Sequence, residues 1–220
     1  MATFVCIHGA GGRGSYWDLV AAELAPLGHD VVAMDLPCDE EVGLDAYVAA
    51  VVDALGGRRG ELVLVAQSLA GLIAPLVCVE VPVDMMVLVA AMVPQPGESG
   101  GEWWANTGHA DAVAAEQLPD DSEETLFTHD VPAEVLAAAG PPREQTSTLF
   151  EEPWPLAAWP DVPTRFLLCH DDRFFPAGWL RALVEDRLGI EPIEIPGGHC
   201  AFLSQPRALA HALDRCWAGR

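Results

Sequence analysis

The chain has 220 residues, 51% of them hydrophobic, and a formal net charge of -22 from 33 acidic residues against 11 basic ones, every one of the latter an arginine. That length suits a single α/β domain over residues 1–220 with a substantial core. The lack of lysine excludes Schiff-base chemistry, a phosphate-loop lysine and a serine–lysine dyad. A strongly negative field repels phosphate backbones and anionic lipid head groups, so the expected partner is a small molecule, with neither nucleic acid nor membrane. Adaptation to high salt and codon bias are alternative origins of the acidity.

The predicted elements alternate along the chain. Phe4 to Ile7 reads as a strand that runs into the glycine-rich loop His8-Gly9-Ala10-Gly11-Gly12, where backbone N–H groups stand open. An amphipathic helix follows over Trp17 to Leu27, then a strand over Asp30 to Met34 and a helix over Leu44 to Leu55. Leu62 to Ala66 forms the third strand and leads to Ser68, which has alanine two residues away on each side. A serine on a sharp strand-to-helix turn needs small neighbours at those positions, and Ala66 and Ala70 stand where glycines are usual. The competing reading is a plain strand followed by a helix that Ser68 caps. The next helix, Leu69 to Val79, contains Pro75, which is expected to remove one ladder bond and kink the axis.

After a strand over Met85 to Ala90, residues 94–160 change character, with many acids and prolines, tryptophans that include Trp103, Trp104 and Trp154, and only a fragment of helical pattern over Glu134 to Ala139. They are expected to form a small cap or lid. Long ordered loops of this kind usually carry function, and the alternative is a solvated excursion that its tryptophans tie to the core. Strands over Arg165 to Cys169 and Ile193 to Ile195, with helices over Ala177 to Leu188 and Pro206 to Trp217, complete the pattern. About six short apolar strands with helices between them predict a doubly wound α/β fold, its sheet mostly parallel and helices on both faces. Asp171-Asp172 follows one late strand and Gly197-Gly198-His199 the other. Ser68, an aspartate and His199 therefore occur in the chain order nucleophile, acid, base.

On these motifs the chain resembles the α/β-hydrolase superfamily, less its two leading strands. The resemblance implies Ser68 as nucleophile, His199 as general base and Asp172 as acid, with Asp171 the rival. It also implies backbone N–H groups of Ala10 and Leu69 as the oxyanion hole. His8 is expected to support the loop. Gly9, Gly11, Trp103, Trp104, Trp154 and Cys200 are expected around the substrate, although the tryptophans have alternatives in the core or a dimer contact. Within the superfamily, the opening Ile-His-Gly-Ala-Gly-Gly and the run Gly197 to Pro206 are similar to small esterases of the plant methylesterase and hydroxynitrile lyase-like group. The lyases carry a threonine and a lysine where this chain has Gly9 and Cys200. Hydrolysis of a small or medium carboxylic ester, a methyl ester or lactone among them, is therefore expected through an acyl-enzyme. A lyase or cyclase on the same scaffold, a ligand-binding protein and a carrier thioesterase are the alternatives.

No cofactor or metal is expected. The six cysteines lack Cys-x-x-Cys or zinc-ligand spacing and read as small core residues, with a pocket-lining thiol the alternative for Cys200. A strand starting at Phe4 leaves no room for a leader, so a cytoplasmic protein is expected, as a monomer or homodimer.

Overall fold

The structure, a computed structural model, describes residues 1–220. In chain order the strands are β1 (Thr3–Ile7), β2 (Asp30–Ala33), β3 (Leu62–Gln67), β4 (Met85–Val89), β5 (Thr164–Cys169) and β6 (Ile193–Ile195). They form one sheet in the order β2-β1-β3-β4-β5-β6, and every neighbouring pair is parallel. Every residue of the central strands β3 and β4 is buried, whereas the edge strands β2 and β6 are partly exposed. That is why the central strands read as unbroken apolar runs.

The helices of the main body are α1 (Asp18–Leu24), α2 (Leu44–Leu55) and α3 (Ala74–Glu80). The 94–160 excursion then holds α4 (Gly100–Asn106), α5 (His109–Ala115), a π-helical turn (Glu124–Thr128), α6 (Ala133–Ala139) and α7 (Thr148–Glu151). The chain closes with α8 (Ala177–Leu188), α9 (Ala201–Ser204) and α10 (Pro206–Ala218). Helix α1 packs against α10, and α2 against α3. Winding turns outward from β1 in one direction and from β3 in the other, so the loops leaving these two strands flank the switch point, where open α/β sheets bind ligands. Both loops carry candidate site residues.

Two helices differ from expectation. The predicted Trp17-to-Leu27 helix is three pieces, with 3₁₀ turns at Gly14–Trp17 and Ala25–Leu27 around α1. After Ser68 the chain makes a 3₁₀ turn, Ser68–Leu72, before α3 begins at Ala74. Pro75 therefore lies in the first turn of α3 and kinks nothing, because its missing N–H would have had no intrahelical partner there.

The 94–160 segment is fastened by buried polar contacts. Helix α4 opens with a capping box between Ser99 and Glu102. The indole Nε1 groups of Trp103, Trp154 and Trp159 donate to the carbonyls of Val93, Leu72 and Pro94 at 3.1, 3.0 and 3.0 Å. No helix is long and apolar enough to cross a membrane.

Candidate active site

Ser68 stands at the end of β3 with φ at 55°, a left-handed conformation that few residues other than glycine adopt. The sharp reversal directs the chain out of the sheet, and the Met92 N–H holds it by donating to Ser68 O at 2.9 Å. Alanine fits at positions 66 and 70, both fully buried. The glycine this turn does require is Gly71, where an added Cβ would lie 1.9 Å from Met92 O.

His199 Nε2 is 3.0 Å from Ser68 Oγ, and its Nδ1 is 2.8 Å from Asp172 Oδ2. A carboxylate only accepts, so Nδ1 carries the proton and Nε2 is left to accept from the serine hydroxyl. The other carboxylate oxygen of Asp172 accepts the N–H groups of Phe174 and Phe175 at 2.9 and 2.8 Å. All three side chains are buried. Asp171 takes no part in this chain of bonds. Its Oδ2 accepts the Gly197 N–H at 3.2 Å and its own N–H donates to Gly197 O, bracing the histidine loop from behind.

The glycine-rich loop after β1 is held by His8. The Leu36 N–H donates to Nε2 at 3.0 Å, so Nδ1 bears the proton and donates to Gly9 O at 2.7 Å. Burial pushes this imidazole down to about 4, against the opposing influence of the Gly9 bond and the Asp35 carboxylate. Within the loop, the Gly9 N–H donates to Gln67 Oε1, the Gly11 N–H to Gln145 Oε1 and the Gly12 N–H to Gly9 O. Between Gly9 and Gly12, Ala10 alone keeps its amide free of any partner in the chain. Ala10 and Leu69 both line the cavity above Ser68.

That cavity has a volume of about 140 Å³, and no aspartate, glutamate or arginine contributes to its wall. Its aromatic lining comes from Tyr16, Trp104, Phe127, Phe150, Phe174 and Phe202. Phe127, on the π-helical turn, and Phe174 meet the His199 ring edge to face at 5.4 and 5.1 Å. Cys200 also lines the cavity, and burial, with the Asp172 and Asp130 carboxylates adding to it, pushes its thiol up to about 12. The thiol is therefore neutral, and the wall offers no fixed cation.

The residues expected around a substrate thus divide. Gly9, Trp104 and Cys200 line the cavity, although the Gly9 amide is already engaged. Gly11, Trp103 and Trp154 do not. Gly11 packs on the Arg143 carbonyl, which a Cβ there would approach to 2.6 Å, and the two indoles are buried anchors of the 94–160 segment. Sequence reasoning missed Tyr16, Phe127, Phe150, Phe174 and Phe202 as wall residues. It also passed over Gln67, whose signal was legible as a polar residue closing an otherwise apolar strand.

Residues 4–212 match the alpha/beta hydrolase family, and the chain belongs to that family. It is 25% identical over 244 residues to a pyrethroid hydrolase of Sphingobium wenxiniae, a match spanning 95% of this chain and 85% of the relative. It is 28% identical over 254 residues to the probable esterase PIR7A of Oryza sativa subsp. indica, spanning 96% and 95%. The crystal structure of the methylesterase MES16 from Arabidopsis shares the fold, with a TM-score of 0.78, 18% identity and 100% coverage of both chains.

Proposed function

We propose that the protein is a serine esterase acting on a small or medium uncharged carboxylic ester. The observation that carries the reading is the continuous hydrogen-bonded chain from Ser68 through His199 to Asp172 at the floor of an apolar cavity. Ser68 Oγ attacks the ester carbonyl while His199 Nε2 takes its proton, and the N–H groups of Ala10 and Leu69 receive the charge that develops on the carbonyl oxygen. The imidazolium, stabilised by Asp172, then protonates the departing alcohol and leaves an acyl-enzyme. Water, deprotonated by the same imidazole, attacks the acyl carbon and regenerates Ser68.

The aromatic wall supports an apolar acyl or alcohol group, and the absence of a fixed cation disfavours substrates that carry a free carboxylate. The esterase and pyrethroid hydrolase names of the relatives agree with ester cleavage. Gly9 and the neutral Cys200 offer neither the hydroxyl nor the ammonium that the related cyanohydrin lyases place at those positions.

The test is hydrolysis of p-nitrophenyl esters from acetate to octanoate by the wild type and Ser68→Ala, with both folds checked by circular dichroism. Turnover that vanishes in the variant is expected, with a short-chain optimum set by the cavity. A folded variant that retains wild-type turnover overturns the serine mechanism. A folded wild type that cleaves no ester turns the assignment toward a lyase, a cyclase or a binding protein.

A further inference from the structure

Gln67 is the one amide side chain in the buried run of β3, and its two ends reach two different loops. Its Oε1 accepts the Gly9 N–H at 3.0 Å, and its Nε2 donates to the backbone carbonyl of His199 at 3.2 Å. The side chain is 3% exposed. Reversing the amide would set donor against donor and acceptor against acceptor, so the chemistry of the partners fixes its orientation. The fit around it is close, since a Cβ on Gly9 would come within 2.5 Å of Gln67 Oε1 and 2.8 Å of Ser68 Cβ.

We propose that Gln67 is a positioning residue that ties the oxyanion loop and the histidine loop to the backbone of the nucleophile. The proposal rests on the serine-esterase reading above. The three parts of the site come from the ends of β1 and β3 and from the loop after β6, far apart in sequence, and the sheet alone fixes only where each strand ends. One side chain, adjacent to Ser68 in the chain, clamps the other two loops to it. By consuming the Gly9 N–H it also leaves Ala10 as the loop amide able to face a developing oxyanion. Glutamine is suited to this because it is neutral, with a donor and an acceptor at one tip. Glutamate would set a second acceptor against the His199 carbonyl, and methionine would leave both buried backbone groups without a partner.

The experiment compares wild type, Gln67→Met and Gln67→Glu on the best p-nitrophenyl ester, with Tm recorded for each. Gln67→Met is expected to lower kcat by about 10- to 100-fold with little change in KM, the signature of misplaced reacting groups. Gln67→Glu keeps the acceptor for Gly9 but supplies a donor to His199 O only when its carboxyl is protonated. Its kcat/KM divided by the wild-type value at the same pH should therefore rise as pH is lowered, a comparison that cancels the titration of His199 common to both proteins. Wild-type kcat in Gln67→Met overturns the proposal. So does a kcat loss that only tracks a fall in Tm, together with a Gln67→Glu ratio flat in pH. Failure of the serine-esterase reading is separately visible, because it appears in wild type and Ser68→Ala. Were wild type inert on every ester, the rate of Ser68 labelling by a fluorophosphonate replaces turnover. Slower labelling in Gln67→Met then supports the clamp, equal labelling overturns it, and an unlabelled wild type removes the reading and the clamp together.

Discussion

Asp130 Oδ2 accepts the backbone N–H of Gly198 at 2.7 Å, so the 94–160 segment grips the histidine loop one residue before His199. The contact is close enough that a Cβ on Gly198 would lie 2.8 Å from His129 Cε1 and 2.9 Å from Asp130 Oδ1. A segment that supplies Phe127 to the cavity wall thus also fixes the backbone that carries the imidazole. Phe127 lies on a π-helical turn, an element that is rare and frequently functional, and Asp130 follows two residues after that turn ends.

Truncation of that grip should slow ester cleavage more than it unfolds the protein. Asp130→Ala removes a charge-assisted bond worth about 1.5–3 kcal/mol and is expected to lower kcat and speed amide exchange over residues 197–200. Asp130→Asn keeps an acceptor and should recover most of the activity. Unchanged exchange and unchanged kcat in Asp130→Ala would show that the 94–160 segment is not coupled to the histidine loop.

Acid should destabilise the fold through His8. Its folded pKa, about 4, lies below the unfolded value of 6.5, so between those limits the unfolded chain binds a proton that the folded chain refuses. The His8 contribution is full above pH 6.5, falls as pH drops toward 4, and levels off below. The difference amounts to about 3 kcal/mol. Urea unfolding across this range should show a steeper pH dependence in wild type than in His8→Gln, which has no ring to protonate; equal slopes in the two proteins would remove His8 as the cause.

Gly71→Ala should damage the elbow although both alanines nearer Ser68 are tolerated. The added methyl would stand 1.9 Å from the Met92 carbonyl, whose own N–H holds Ser68 O. Backbone cannot yield as a side-chain tip can, so strain of about 1–3 kcal/mol is expected, together with loss of turnover beyond that explained by Tm. A variant with wild-type Tm and kcat would contradict the contact.

The parts legible in the sequence were those encoded locally. β1, β3 and β6 are short runs that end in glycine or serine punctuation and β5 runs into the paired aspartates, so the order of Ser68, Asp172 and His199 along the chain follows from where β3, β5 and β6 end. Asp172 and Asp171 were distinguishable only by family spacing, because both follow β5 and a two-residue turn decides which carboxylate faces the imidazole. The cap was the least legible. Its α-helices have seven residues or fewer and expose much of their surface, so periodicity had little to work on. Trp103 and Trp104 show the limit: adjacent in sequence and alike in chemistry, one is buried as an anchor on Val93 O and the other lines the cavity. Phe127, Phe150 and Phe174 converge from separate segments, and nothing local marks them as neighbours.

The start of the 94–160 segment rests on an ion pair that should be costly to break on one side. Arg187 Nη1 and Nη2 donate to Glu98 Oε2 and Oε1 at 2.5 and 3.0 Å, and Nη1 also donates to Val93 O at 2.6 Å. The two side chains are 5% and 4% exposed, and Glu98 further accepts from Asn106 Nδ2 and the Gln95 N–H. Burial alone would raise the Glu98 pKa, but the bonds from Arg187, Asn106 and Gln95 outweigh it and hold the carboxyl below its usual range. Because the folded pKa is depressed, this contribution is present above the unfolded value of 4.5 and is lost as pH falls from there through the lower folded value. Arg187→Met leaves a buried carboxylate without its cation and should cost about 3–5 kcal/mol, whereas Arg187→Met with Glu98→Leu removes both charges and should recover much of that. A double-mutant cycle read by urea unfolding checks this. Additive losses would mean that the pair is solvated in the working protein and that the tryptophan anchors alone hold the 94–160 segment.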